Sequence, residues 1–290
     1  MRNRVNIGFG CVSLTQHHFV KDALNILEKA YDEGITHFDT APVYGNGFSE
    51  KIVGRFIKNK RSKVTITTKC GLGSFDQPTI NLKFALPLNA IKNKLRRKQK
   101  NITNQPPKLL SFRSIDVNYV KHHLEKSLQN LQTEFIDYYL LHEAMPAFLT
   151  PEALDFLNVQ KQKGIIGEIG VAANFVNLLH LKNDQMENFA ILQYENGIHY
   201  KTDDLKIKFP DKKHFYHSAL RSIHLLDKNY SSSEWVGIIL NRASKINPSG
   251  KILFSTTKCK TLIDNLTAFD KYNELPLEKL NNIIDGIYRS

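Results

Sequence analysis

The chain has 290 residues, of which 41% are hydrophobic and 23% charged, which is the composition of a globular protein and excludes a disordered or fibrous one. Its net charge of +12 favours anionic partners, from nucleic acid to a phosphate-bearing cofactor, and charge alone does not choose between them. No stretch approaches the roughly 18 consecutive apolar residues of a membrane span, and the first residues lack the apolar run of a secretion signal, so we expect no membrane partner and a cytoplasmic location.

Cysteine and histidine placement argues against a disulfide framework and a metal site. The three cysteines lie far apart and form no CxxC pair: Cys11, Cys70 and Cys259. Among the histidines, His17 with His18 and His122 with His123 are adjacent pairs, which is not the i, i+4 spacing of a helical metal site. We therefore expect reduced thiols, surface histidines and no metal.

Short apolar runs rich in β-branched and aromatic residues alternate with longer stretches of helical spacing along the chain. Eight runs are predicted strands: residues 5–11, 35–40, 63–69, 135–142, 165–172, 189–194, 214–219 and 251–256. Strands that alternate with helices pair in parallel, and eight such units without an obvious linker favour a closed barrel over an open sheet. We predict an α/β fold, with residues 1–290 forming a single-domain (β/α)8 or TIM barrel.

Several helices have readable ends. Thr150 is a good N-cap before a proline, and Gly164 is suited to the left-handed stop of the same helix. Apolar residues recur at helical spacing in 116–131, and the helix predicted over 231–246 opens with a capping-box pattern. A last helix is predicted over 277–289.

Residues 72–114 break this rhythm, because the segment is long, proline-containing and basic at 93–100. It follows the third strand, so it should emerge on the active-site face as a lid or substrate wall, and the alternative is a solvated insertion. The basic run contains no interleaved aromatic residues of the kind that stack on bases, so we expect no nucleic-acid partner.

Four polar side chains interrupt the apolar pattern where predicted strands end. Asp39, Lys69 and His142 close three strands, and Tyr44 lies just beyond the second. Taken singly, each is weak, because an aspartate is often a helix cap, a lysine is often solvated and a histidine is often a satisfied core residue. In a (β/α)8 barrel, however, the carboxyl ends of the strands form the active-site face, so their joint placement predicts a catalytic centre.

These residues lie in segments that resemble the aldo-keto reductases, namely FDTAPVYGNGFSEKIVG, TKCG, LQTEFIDYYLLH and KGIIGEIGV. The resemblance implies an NADP(H)-dependent oxidoreductase that reduces a small-molecule aldehyde or ketone to an alcohol. Tyr44 would be the general acid, and Lys69, held by Asp39, would lower the pKa of the Tyr44 phenol. His142 would orient the carbonyl oxygen as a neutral hydrogen-bond donor.

The resemblance also implies cofactor contacts, although the later segments depart from the family pattern. Gln193 would hold the nicotinamide carboxamide, and His217 with Ser218 would lie at the nicotinamide, where the family has a larger aromatic ring. Asn174 would either bind the carboxamide or only cap the following helix. Four residues match the loop that grips the adenosine 2′-phosphate: Thr256, Thr257, Lys258 and Asn265.

Lys258 and the positive net charge favour NADP(H) over NAD(H), and the alternative for Lys258 is a solvated side chain. A second hypothesis for the whole chain is a non-catalytic, nicotinamide-binding regulatory subunit that acts through a partner. Otherwise we expect a monomer or a weak homo-oligomer. The sequence does not identify the substrate, because selectivity in barrels of this kind resides in loops.

Overall fold

A computed structural model describes residues 4, 6–17, 19–72, 114–198, 204–221 and 229–286. Eight parallel strands pair in chain order, and the eighth pairs with the first, so the sheet is closed. The strands are β1 (Ile7–Gly10), β2 (His37–Asp39), β3 (Thr65–Cys70), β4 (Ile136–His142), β5 (Ile166–Ala172), β6 (Ile191–Glu195), β7 (Lys213–His217) and β8 (Lys251–Phe254). The predicted barrel is confirmed, and every strand ends within two residues of its predicted bounds.

Nine α-helices lie within the described ranges: α1 (Val20–Asp32), α2 (Phe48–Ile57), α3 (Val117–Leu131), α4 (Pro151–Gln162), α5 (Phe175–Leu179), α6 (Asp204–Lys208), α7 (Ser232–Ile246), α8 (Cys259–Tyr272) and α9 (Leu277–Gly286). The predicted caps are present. Thr150 accepts a hydrogen bond from the Ala153 amide at the start of α4, and Ser231 forms a capping box with Glu234 at α7. Gly164 takes a positive φ of 74° just after α4, a conformation that glycine adopts at little cost.

Aromatic side chains fill the barrel interior beneath the strand ends. His37, with no solvent exposure, lies 5.4 Å from Phe215 and 5.7 Å from Tyr138 between ring centroids. Phe215 also belongs to a small apolar cluster with Leu140 and Ile191. The interior is therefore a packed core, which leaves the carboxyl ends of the strands as the place for a cavity.

One expectation about the surface is wrong. His122 is exposed as predicted, but His123 is buried, with 5% exposure. Its ring stacks on Tyr119 of α3, with 3.9 Å between centroids, and its Nδ1 lies 2.8 Å from the Tyr119 carbonyl oxygen. Adjacent residues of a helix point in directions about 100° apart, so one member of the pair turns toward the core.

The sequence also predicted an insertion after the third strand and no membrane-spanning segment. The insertion expected at 72–114 lies, except at its two ends, outside the described residues. Among the helices that are described, none is both long enough and apolar enough to cross a membrane.

Candidate active site

Strands β2, β3 and β4 bring the four predicted catalytic residues to one cavity. Asp39 and His142 end β2 and β4, Lys69 is next to last in β3, and Tyr44 lies in the turn that follows β2. All four line a cavity of about 400 Å³ at the carboxyl ends of the strands. The arrangement follows from parallel pairing, because neighbouring strand ends meet at the same face.

Lys69 and Asp39 form a buried ion pair. The ammonium, in a residue with 1% exposure, donates a hydrogen bond to Asp39 Oδ1 at 2.6 Å and another to the Thr40 carbonyl at 2.9 Å. Burial works against the charged form of Lys69, but Asp39 and Tyr44 together raise its pKa above the usual value. Lys69 therefore stays charged inside the barrel.

A second layer of hydrogen bonds, which was not predicted from the sequence, surrounds this pair. Thr40 Oγ1 donates to Ser49 Oγ at 2.8 Å, and Ser49 in turn donates to the Cys11 carbonyl at 3.0 Å. The neighbouring Glu50, with no exposure, accepts hydrogen bonds from Thr68 Oγ1 at 2.7 Å and Asn130 Nδ2 at 3.0 Å.

The signal for this layer is visible in the helical pattern of α2. Glu50 precedes the buried Val53 and Ile57 by three and seven residues, so a carboxylate stands on the apolar face of the helix. A charged residue on such a face must find partners in the interior, which here are side chains of β3 and α3. The pattern could have identified a buried polar site, but not its partners.

Tyr44 lies beside the ion pair, with the Lys69 Nζ 5.2 Å from the centroid of its ring. Burial raises the pKa of the Tyr44 phenol, whereas the charge of Lys69 and its hydrogen bond lower it, and the net direction is upward. The expectation of a lowered pKa is therefore wrong for the protein without ligands. Lys69 acts in the expected sense, but removing the phenol from water has the larger effect.

Two histidines face the same cavity in neutral form. Burial, with the charge of Lys69, lowers the pKa of His142 to about 3, and burial lowers that of His217 to about 4. The His142 ring stands perpendicular to that of Tyr44, with 6.1 Å between centroids. Its buried Nδ1 has no hydrogen-bond partner within the described structure, which leaves a polar atom for a ligand. The neutral state of His142 agrees with the sequence-based expectation.

Gln193 lines the cavity but its side chain already has a partner. Its Nε2 donates to Asp39 Oδ2 at 2.7 Å, so the two oxygens of Asp39 accept from different residues, Lys69 and Gln193. This contact was not predicted, because the two residues are 154 positions apart and only closure of the barrel brings β2 and β6 to one cavity.

The other predicted cofactor residues separate into two groups. Ser218, with a positive φ of 57°, lines the cavity next to His217. Asn174 is not among the cavity-lining residues, and its side chain accepts a hydrogen bond from the Val176 amide at the start of α5. Of the two interpretations of Asn174, the structure shows the helix cap.

Of the four residues predicted to bind a phosphate, Thr256, Thr257 and Lys258 directly precede α8, and Asn265 is the seventh residue of that helix. None of the four lines the cavity, although the adjacent Ser255 does. Lys258 is the exposed N-cap residue, and no side chain caps this 14-residue helix. Asn265 is buried, with 5% exposure. The first amides of α8 thus directly follow an exposed lysine in the chain, an arrangement that suits an anion.

The cavity wall also contains residues that the sequence analysis did not single out. Glu143 and Arg221 bring charge to it, and Val12, Leu220 and Phe254 are apolar. From the sequence, these residues could be recognised only by their position after the end of a strand. That position does not indicate which loop side chains turn toward the cavity. Among the described residues there is no cluster of three or more histidine, cysteine, aspartate or glutamate side chains that could hold a metal ion.

Comparison with solved structures gives the same barrel. An aldo-keto reductase from Klebsiella pneumoniae, solved in complex with NADPH, aligns with a TM-score of 0.66 at 18% identity and covers 97% of this chain and 90% of its own. The glycerol dehydrogenase of Gluconobacter oxydans aligns with the same TM-score, identity and coverage. At this identity, the likeness establishes the fold.

Sequence comparison identifies relatives over part of the chain. An aldo-keto reductase of Fusarium vanettenii is 27% identical over 194 residues, which are 63% of this chain and 49% of the relative. The NADH-specific methylglyoxal reductase of Escherichia coli is 28% identical over 153 residues, 51% of this chain and 40% of the relative. The chain thus spans about half, or less, of the length of these curated relatives. Because the family profile described as "Aldo/keto reductase family" matches residues 6–199, more than half of the chain, the protein belongs to the aldo/keto reductase family.

Proposed function

We propose that the protein reduces an aldehyde or a ketone to an alcohol, with NADP(H) as the cofactor and Tyr44 as the general acid. The observation that carries the proposal is the position of Tyr44 beside the buried Lys69–Asp39 pair, in a cavity that is also lined by the neutral His142.

The chemistry needs a hydride at the carbonyl carbon and a proton at the carbonyl oxygen. A bound nicotinamide supplies the hydride. Tyr44 holds the proton in the resting protein, because burial raises the pKa of its phenol. As the proton moves to the oxygen, the adjacent Lys69 ammonium stabilises the phenolate that forms. The cation therefore acts on the transition state rather than on the resting phenol.

His142 is suited to hold the carbonyl oxygen near Tyr44. A neutral imidazole has one N–H to donate, and a pKa of about 3 keeps His142 neutral at physiological pH. The perpendicular Tyr44 ring is its neighbour at the cavity. Two donors, one phenolic and one from imidazole, would then converge on the same oxygen.

The residues present fit a nicotinamide cofactor in two places. Gln193, His217 and Ser218 line the cavity and would hold the nicotinamide. Thr256, Thr257 and Lys258 at the uncapped start of α8, with Asn265 two turns into the helix, would hold the adenosine 2′-phosphate. The exposed Lys258 ammonium supports NADP(H) over NAD(H). Among the compared proteins, the Klebsiella pneumoniae structure contains NADPH, whereas the Escherichia coli relative is NADH-specific.

The test is turnover with a matched variant. Purified protein, NADPH and a panel of aldehydes are followed by the loss of NADPH absorbance, with NADH in parallel. Tyr44→Phe keeps the ring but removes the proton donor, and we expect a rate lower by roughly 10²–10⁴-fold, the usual contribution of a general acid.

Two outcomes would contradict the proposal. If no carbonyl compound is reduced faster by the wild-type protein than by Tyr44→Phe, the assignment of Tyr44 fails. If NADPH binds tightly but no carbonyl compound is turned over, a nicotinamide-binding regulatory subunit is the better hypothesis.

A further inference from the structure

Glu143 is a cavity-lining carboxylate that the chemistry proposed above does not use. It directly follows His142 at the end of β4, takes a positive φ of 53°, and is exposed. Its own amide donates to the Ala172 carbonyl at 2.7 Å, which fixes its backbone beside the end of β5. Glu143 is thus held between the ends of β4 and β5, beside the residue proposed to orient the substrate.

The other charges on the cavity wall are paired. Lys69 is neutralised by Asp39 at 2.6 Å, and Arg221 donates to Glu195 Oε2 at 2.7 Å. The two cavity histidines, with pKa values of about 3 and about 4, carry no charge at neutral pH. Within the described part of the chain, no ion pair is found for Glu143. Its carboxylate is therefore the one charge on the described wall without an ion-pair partner, and burial together with the charge of Glu195 raises the pKa of this carboxyl.

We infer that Glu143 selects carbonyl substrates that carry a cationic group, such as an ammonium, and disfavours carbonyl compounds with a carboxylate. This inference rests on the proposed reductase function, since it concerns the substrate of that same cavity. A carboxylate has about four acceptor positions, and the nearby backbone amide of Asn174 would take at most one of them, so Glu143 retains lone pairs for a ligand.

The experiment compares two substrates of the same shape. Benzaldehyde with a para-trimethylammoniomethyl group is the cation, and benzaldehyde with a para-neopentyl group is its neutral isostere. The ratio of their kcat/KM values is measured at mildly alkaline pH for the wild type and for Glu143→Gln, which keeps size and hydrogen bonding but removes the charge. We expect the cation-to-neutral ratio to fall by roughly two- to fivefold in the variant, the range for one partly exposed ion pair.

A matched control separates local from long-range charge. Glu187→Gln makes the same change in net charge at an exposed residue that precedes β6, at the opposite end of the barrel, and should leave the ratio unchanged. A para-carboxymethyl benzaldehyde is the third substrate, and its kcat/KM should rise in Glu143→Gln relative to that of the neutral compound.

Three results would overturn the inference. The first is a cation-to-neutral ratio that is the same in the wild type and in Glu143→Gln. The second is an equal change of this ratio in Glu187→Gln. The third is that Glu143→Gln weakens the binding of NADPH and of all substrates by one common factor, which would place Glu143 at the cofactor. If no aldehyde is turned over, the proposed reductase function fails separately. The dissociation constants of the two corresponding benzyl alcohols, measured by ligand-observed NMR, then test the same charge preference without turnover.

Discussion

Replacing Lys69 by methionine tests whether the buried ion pair holds the site together. The ammonium lies 2.6 Å from Asp39 Oδ1, and both residues are at most 3% exposed. Lys69→Met therefore leaves the Asp39 charge buried with Gln193 as its remaining side-chain donor. Removing one partner of a buried pair costs about 3–5 kcal/mol in the free energy of unfolding, because the other charge is left uncompensated.

The double variant Asp39→Asn/Lys69→Met should behave differently from the sum of the single variants. It replaces the pair by neutral side chains of similar size, a change that is often neutral or stabilising by about 1–4 kcal/mol. Asp39→Asn alone should be destabilising, because it leaves the Lys69 ammonium without its counter-ion. The interaction energy in the double-mutant cycle should then be of the same order as the single losses.

Urea unfolding of the four proteins gives these free energies. Trp235 is the only tryptophan in the chain and is 2% exposed, so its fluorescence reports the loss of the core. Lys161→Met removes the partner of Glu168 in a partly exposed pair and should cost no more than about 1 kcal/mol. Additivity of the two single losses within about 0.5 kcal/mol would refute the reasoning.

Three further predictions concern other parts of the site. Replacing His142 by glutamine should make the fall of the unfolding free energy below about pH 6.5 less steep by about 1.4 kcal/mol per pH unit, because the unfolded chain takes up a proton that folded His142, with a pKa of about 3, does not. His217, with a pKa of about 4, contributes in the same direction in both proteins. An unchanged slope in urea titrations of His142→Gln would contradict this reasoning. Gln193→Leu should lower the free energy of unfolding by about 1–3 kcal/mol in the absence of cofactor, since Asp39 Oδ2 loses its hydrogen-bond donor. If Gln193→Leu changes only the affinity for NADPH and not the stability, Gln193 does not stabilise Asp39. Lys258→Ala should raise the KM for NADPH roughly tenfold and leave the KM for NADH unchanged. Lys260→Ala, which removes the ion-pair partner of Asp264, serves as the control. An equal effect of Lys258→Ala on both cofactors would exclude recognition of the 2′-phosphate.

Repetition along the chain was enough to predict the fold. Each βα unit has local signals, such as the Thr150 cap and the Gly164 stop, and these depend on near neighbours in sequence. Once eight parallel strands are expected, their carboxyl ends must share a face, and this placed Asp39, Lys69 and His142 near one another before any distance was known.

Contacts between distant strands could not be derived in this way. The bond from Gln193 to Asp39 depends on how far each strand is displaced along its neighbours around the closed barrel, and no local signal fixes that displacement. The burial of Glu50 was visible in the α2 pattern, whereas its partners Thr68 and Asn130 depend on helix packing.

The sequence by itself determined the barrel, the strand ends and the identity of the four polar residues at the proposed centre, because residue type and periodicity are local properties. Only the tertiary structure decided in which direction the pKa of Tyr44 shifts. The loss of water around the phenol raises this pKa and the charge of Lys69 lowers it, and the balance depends on how deeply the phenol is buried. The tertiary structure also decided that Glu143 lines the cavity without a counter-ion on the described wall, because charge pairing depends on distances between loops that are far apart in the chain.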